Sequence, residues 1–390
     1  MSKVLIHSNA PWVPTGYGIQ TRMLARGLRS LGHEVAISAF SGLSGADITW
    51  DDMLIMPSGQ MQFGADTLIP HINRFGPDLT ITLMDFWKLD PIASALQNHN
   101  VAAWLPIDCT PMSRRDLSAL LHSRAHPIAM SIFGRSEIYE AQDMMGPVIR
   151  DPYYAPHMVD MDAFTPMDDR HAFRAELGLD DKFVVGLCAA NKDAVRKAFP
   201  EQFQAFSMLR KKYPAAVLLV HAVAQSVSGL DLVRLADSMG IADAVRFTDQ
   251  YTLDSGLFDT VMMRRWYNAC DAVMMCTYGE GFGIPAIEAQ ACGTPVVASK
   301  NSALAELCDP RCLVETDNFW NYVHEAWWGR PRPQLIARKL SYFANRHQSE
   351  RPGDGWDAHN RAKTRESVLR YDYAHVINTH WRDIVEKLCA

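Results

Sequence analysis

The chain reads as an α/β protein of two doubly wound domains with a cleft between them. Three observations predict this. Apolar strand patterns and amphipathic helix patterns alternate twice over, the first turn is rich in glycine, and a turn-rich stretch near residue 165 separates the two runs. In the first run, residues 3–8 form a short apolar strand, followed by a loop with Pro11, Pro14, Gly16 and Gly18. Met23, Leu24, Leu28 and Leu31 then recur at helical spacing, Gly32 is placed to end that helix, and residues 33–40 read as the next strand. This is a βαβ unit with a Gly-rich first turn. Further strands are predicted at 79–84 and 101–106, with a short apolar candidate at 128–131.

Pro152, Pro156, Pro166 and the pair Asp168-Asp169 mark the break. The pattern then restarts, with strands predicted at 183–189, 215–221, 244–247, 271–276 and 294–298. Helices are predicted between them at 200–212, 230–239, 262–269 and 285–292. A loop rich in Gly, Pro and charge at 348–357 precedes one final helix at 365–388, with Val368, Tyr371, His375, Ile377 and Trp381 along its apolar face. The expected domains are 1–165, 166–362 and a closing helical segment, 363–390.

Composition narrows the function classes. The chain has 390 residues, 48% hydrophobic and 21% charged, which excludes a disordered polymer and suits two domains. No apolar run approaches the roughly 18 residues of a spanning helix, and the longest, 215–224, is interrupted by His221. Met1-Ser2-Lys3 leads straight into Val4-Leu5-Ile6, so the expectation is a soluble, cytoplasmic protein with no membrane span. The eight cysteines form no CxxC pair and read as reduced core thiols. Only Cys308 and Cys312 approach ligand spacing, and no metal site is expected. The net charge is −6, but residues 330–370 alone carry ten Lys/Arg against four Asp/Glu. A basic segment therefore sits on an acidic body.

The most informative stretch is Tyr278-Gly-Glu-Gly-Phe-Gly-Ile-Pro-Ala-Ile-Glu288, continuing to Val297. It follows an apolar strand and opens a helix, with Pro285 suited to the first turn. Glycines at 279, 281 and 283 let backbone N–H groups approach a ligand, and a helix N-terminus there favours a diphosphate. Glu280 lies in the loop and Glu288 one turn into the helix. A carboxylate accepts two hydrogen bonds side by side and so suits vicinal hydroxyls of a sugar or ribose. Two glutamates eight residues apart are common by chance. The whole string, however, resembles the Glu-x7-Glu signature of retaining glycosyltransferase family 4, enzymes of the GT-B fold.

Other stretches resemble the same family in the same order. They are Gly16-Tyr-Gly18 with Gly32-His-Glu-Val35, the hinge-like Tyr154–Pro166, and Asn191 with Arg196 and Lys197. The resemblance covers about 3–310 and 365–388, includes motif wording found in phage-type members, and thins across the basic segment. It implies two Rossmann-like domains facing a central cleft, with the last helix crossing back to the first domain. The first domain would take the acceptor and the second the donor. Glu280 would bind the donor sugar, aided by the backbone around Gly281, Phe282, Gly283 and Ile284. Glu288 would hold the ribose, and Arg196 and Lys197 the diphosphate, with Asn191, Gly16 and Gly18 nearby on the donor side. The loop at Phe247 would adjoin the base. His157 and Asp160 fall at the hinge or acceptor side, where His157 replaces the family's Asn and a hinge role competes with ligand contact. Asp108 stands where the family often has a histidine, and either orients the acceptor or caps its loop.

The resemblance further implies transfer of a hexose with retention, without a metal and with no cofactor beyond the nucleotide-diphosphate sugar. UDP-glucose is the first expectation for that donor and GDP-mannose the second. Asp160-Met161-Asp162 spells a DxD metal motif but falls within the hinge. The Gly16/Gly18 turn lacks the third glycine and the acidic residue that a dinucleotide site needs. Two alternatives stand beside this reading. One is a phage-type enzyme glycosylating hydroxymethylated bases in DNA, suggested by the basic segment but opposed by the acidic first domain. The other is a GT-B sugar-nucleotide epimerase or hydrolase.

Overall fold

A computed structural model describes residues 1–146, 149–349 and 356–390. Most of the loop expected at 348–357 lies outside the described residues. The chain divides into two compact units.

Unit 1 comprises Met1–Met158, Trp320–Trp327 and Tyr371–Ala390. Its strands are β1 (Lys3–Asn9), β2 (Glu34–Ser41), β3 (Ile48–Trp50), β4 (Met53–Met56), β5 (Leu79–Leu83), β6 (Val101–Leu105), β7 (His126–Ala129) and β8 (Tyr153–Tyr154). They form one sheet in the order β3-β4-β2-β1-β5-β6-β7-β8. Among the pairings of this sheet, only β3–β4 is antiparallel. β1, β5 and β6 are almost wholly buried, as expected of parallel strands covered by helices on both faces. Thr15 caps the helix Gly16–Ser30 by accepting a hydrogen bond from the Gly18 N–H. A Cβ on Gly18 would lie 2.2 Å from the Val13 carbonyl oxygen, so the turn after β1 closes this tightly only with glycine there.

The C-terminal segment completes this core. Trp381 is fully buried and meets Trp104 edge-on, their ring centroids 4.8 Å apart. Trp104 in turn donates to the Ala155 carbonyl at 2.8 Å. The single helix expected at 365–388 is instead broken. One helix ends at Glu366, a 3-10 turn covers Leu369–Tyr371, and helical geometry resumes from Tyr373 through a π-helical turn at Ile377–Trp381 to Leu388. Asp372 caps the restart by accepting from the N–H groups of Ala374 and His375. The chain passes from one unit to the other at this cap.

Unit 2 comprises Val159–Phe319 and Trp328–Arg370. It contains β9 (Val184–Cys188), β10 (Val217–His221), β11 (Val245–Phe247), β12 (Ala272–Met275), β13 (Val296–Ser299) and β14 (Leu313–Val314), in the sheet order β11-β10-β9-β12-β13-β14. Every pairing is parallel. One ionic node anchors the start of the central strands. Asp271 accepts from Arg170 at 2.6 Å, from Arg174 at 3.2 Å and from the Val184 N–H at 2.7 Å. Arg365 donates to the carbonyls of Met161, Phe164 and Ala291, tying the start of the unit to its last helix.

Several elements lie outside the sequence expectations, among them the short strands β3, β4, β8 and β14. A further one is the hairpin of β15 (Thr316–Asn321) and β16 (Ala326–Pro331), whose residues Trp320–Trp327 belong to unit 1. There Trp327 exchanges backbone hydrogen bonds with Thr110 at 2.7 and 3.1 Å. The basic segment folds as the end of β16 followed by the helices Pro333–Ser349 and Trp356–Glu366. Among the described residues, no helix is long and apolar enough to cross a membrane.

Candidate donor site

In unit 2 the chain runs β9, β10, β11 outward to one side and β12, β13, β14 outward to the other. The sheet therefore changes direction between β9 and β12, and the loops leaving their C-terminal ends diverge to leave a crevice. These two loops carry Arg196 and Lys197 after β9 and Glu280 after β12, so residues more than eighty positions apart meet there.

Lys197 Nζ lies 2.5 Å from Glu280 Oε1, and Arg196 lies 3.3 Å from Glu280 Oε2 while also donating to the Gly279 carbonyl at 3.1 Å. Burial pushes the Glu280 carboxyl upward, but Lys197 and then Arg196 outweigh it and hold the group below the usual glutamate range. The Glu280 N–H donates to Ser302 Oγ at 2.9 Å. The loop before Lys197 is shaped by Asp193, which accepts from the N–H groups of Val195 and Arg196. Ala198 then adopts a left-handed conformation, φ 49°, where the chain turns into the helix Phe199–Lys212. Gln202 holds this turn against the sheet by donating to the Lys197 carbonyl and accepting from the Cys276 N–H.

The glycine-rich stretch enters the helix Ile284–Ala291 through Gly283, whose φ of 115° would strain any other residue and where a Cβ would lie 2.9 Å from the Leu304 side chain. No side chain caps this helix, and Gly281 and Phe282 are buried beside its start. Aligned N–H groups at such a terminus attract anions. Glu288, one turn in, is buried and accepts from the Tyr267 hydroxyl at 2.8 Å. Burial raises the Glu288 carboxyl to about 7, a shift that the Tyr267 hydrogen bond only partly offsets. This site therefore holds two carboxylates in opposite electrostatic states. Glu280 stays ionised between two cations, whereas Glu288 titrates near neutrality.

The remaining residues singled out in the sequence are placed as follows. Asn191 lies in the loop after β9, but its amide nitrogen donates to the carbonyls of Val223 and Leu230, and its oxygen accepts from the Leu230 N–H. It ties two loops together. Phe247 ends β11 at the edge of the sheet and is half-buried. Asp160 accepts from the N–H groups of Asp162 and Ala163, closing a turn rather than forming a metal site. Gly16, Gly18, Asp108 and His157 belong to unit 1. His157 packs against Trp104 with ring centroids 4.6 Å apart, and burial lowers its imidazole to about 3. That makes it a neutral core ring. Asp108 is half-buried in the loop after β6. Cys308 and Cys312 are free, buried thiols, and no metal-binding cluster occurs among the described residues.

Four positioning residues escaped the sequence reading: Tyr267, Gln202, Asp193 and Ser302. Asp193 alone left a local signal, an Asp placed before a turn and a helix start. The others act across long separations, and their types are ordinary for helix faces and loops.

Comparison with known proteins bears on the fold and on one segment of the chain. Residues 183–325 match the family model described as Glycosyl transferases group 1. A D-inositol 3-phosphate glycosyltransferase of Streptomyces bingchenggensis (strain BCW-1) is 32% identical over 212 residues, which cover 51% of this chain and 43% of that protein. The matched stretches span less than half the length of the curated relatives. Among solved structures, a sucrose-phosphate synthase from Thermosynechococcus elongatus superposes with a TM-score of 0.73 at 16% identity, covering 100% of this chain and 99% of the other. Anabaena HepE in complex with UDP-glucose gives a TM-score of 0.69 at 15% identity, covering 99% and 100%. Both likenesses concern the fold. The chain thus has two Rossmann-like units of the GT-B type, and most of the segment matching Glycosyl transferases group 1 falls in the second.

Proposed function

We propose that the chain is a retaining glycosyltransferase that moves a hexose from a nucleotide-diphosphate sugar to an acceptor hydroxyl. The observation that carries this reading is the Lys197–Glu280–Arg196 cluster at the β9/β12 crevice, with Glu288 in the helix that opens from it. In this reading Glu280 accepts hydrogen bonds from sugar hydroxyls, and Glu288 accepts from the ribose. Lys197 and Arg196 face the diphosphate.

As the bond between the anomeric carbon and the phosphate oxygen breaks, its electron pair leaves with the phosphate. The two cations stabilise that growing charge where little water screens it. The acceptor oxygen bonds to the anomeric carbon from the face the phosphate leaves, and its proton passes to the departing phosphate oxygen. No separate base is needed, and the two cations supply the charge that a metal would otherwise bring. UDP-glucose is the first donor to try, supported by the UDP-glucose complex of a protein with this fold. GDP-mannose is the second.

A thermal-shift panel of UDP-, GDP- and ADP-sugars tests the donor, followed by transfer assays with whichever stabilises the protein most. Nucleotide release that needs an acceptor and persists in EDTA is the expected result. A flat panel would overturn the donor reading, and equal release without acceptor would identify a hydrolase.

A further inference from the structure

The basic segment has a structural destination apart from the donor crevice. Unit 2 contains a cavity of about 950 Å³, lined in part by Phe183, Asp271, Val296 and Cys312. Each of these lies at or just before the start of its strand, β9, β12, β13 or β14. The cavity is thus at the N-terminal end of the sheet, whereas Lys197 and Glu280 follow the C-terminal ends. Strands of four or five residues, at ~3.3 Å per residue, put the two places about 15 Å apart.

Seven Lys or Arg and three Asp line this cavity. Arg170 and Arg174 are buried against Asp271, and Arg311 pairs with Asp309 at 2.6 Å. Arg338, from the helix Pro333–Ser349, and Lys363, from the helix Trp356–Glu366, are exposed and have no acidic partner among the described residues. Tyr342 lies one turn beyond Arg338 on the same helix, lines the same cavity and is 51% exposed. The cavity's size is that of a small-molecule site, and its wall combines two cations that have no acidic partner among the described residues with a half-exposed aromatic ring.

We propose that this cavity is a second ligand site, taking a nucleoside polyphosphate whose phosphates meet Arg338 and Lys363 and whose base lies against Tyr342. The test is a calorimetric titration of ATP into three full-length proteins: wild type, Arg338→Glu/Lys363→Glu, and Lys197→Ala/Glu288→Ala. The third disables the donor crevice and leaves the cavity intact. Both substitutions in the second variant are at exposed positions, and circular dichroism checks that each protein folds. The expected result is affinity at least about tenfold weaker in Arg338→Glu/Lys363→Glu, through loss of charge-assisted contacts, and nearly unchanged in Lys197→Ala/Glu288→Ala. Tyr342→Ala should weaken ATP binding while sparing inorganic tripolyphosphate. Absence of binding to wild type at millimolar ATP overturns the proposal. So does binding that vanishes with the donor-crevice residues and survives charge reversal in the cavity.

Discussion

Lys197 and Glu280 form an ion pair at 2.5 Å with both side chains nearly buried, 12% and 8% exposed. The carboxylate thus holds in place the ammonium that the proposed reaction needs at the diphosphate. Lys197→Ala should lower kcat by about 10²- to 10³-fold, the usual cost of removing one donor aimed at developing negative charge. Glu280→Ala should also cut turnover severely while the far-UV spectrum stays native. Steady-state kinetics with the stabilising sugar nucleotide would read both, and a loss of only a few-fold in either variant would contradict the assigned roles.

The Glu288–Tyr267 pair predicts a pH effect of definite sign. Glu288 titrates near 7 in the folded protein and near 4.5 when unfolded. Between these values the native state binds the extra proton, so this group's contribution to stability falls as pH rises through that window. Glu288→Gln removes the titration, and its Tm relative to wild type should climb from pH 4.5 to above 7. Donor binding runs the other way. Only the carboxylate accepts through both oxygens, so the donor KM should fall as pH rises through 7 in wild type, and this step should be absent in the variant.

Asp271 gives a stability prediction. Burial raises its carboxyl, but Arg170, Arg174 and then His347 overcome this and hold it below the usual aspartate range. Asp271→Asn would leave two buried guanidinium groups facing a neutral side chain. Breaking a buried pair from one side costs about 3–5 kcal/mol, readable as a lower urea midpoint. Because the folded value is depressed, this stabilisation is complete above the ordinary aspartate value and disappears as acid protonates the group.

Ala198 offers the opposite case. Its φ of 49° is one that residues with a Cβ adopt at a cost of about 1 kcal/mol, and glycine removes that cost. Ala198→Gly should therefore raise the Tm slightly, offset in part by the greater freedom of the unfolded chain. A pronounced drop in Tm would mean that its methyl group, buried at 1% exposure, matters more through packing than through strain.

The two sheets and the β9/β12 crevice announce themselves in the sequence because buried parallel strands leave continuous apolar runs. Residues 272–275 and 296–298 are such runs, and Gly293, in a left-handed conformation, marks the turn before the second. The β15–β16 hairpin left no such trace. Thr316–Asn321 pairs only with its neighbour and stays partly exposed, so Phe319 and Trp320 stand among polar residues without a period. The helix Pro333–Ser349 lies in the stretch where the resemblance thins, although Pro333 suits a first helical turn. Asn191 resembles a ligand-binding residue by position, yet its side chain is occupied by backbone groups thirty or more residues away. Partnerships over such separations depend on the assembled fold.

The burial of Trp381 beside Trp104 has a consequence for biosynthesis. Residues 1–158 leave the ribosome first, but one of the largest fully buried side chains of their unit arrives more than two hundred residues later. Unit 2 is encoded in between and is fully synthesised by Arg370. The first half of the chain to be made is therefore the second to be finished, and until position 381 emerges the nascent protein presents Trp104 without the ring that covers it.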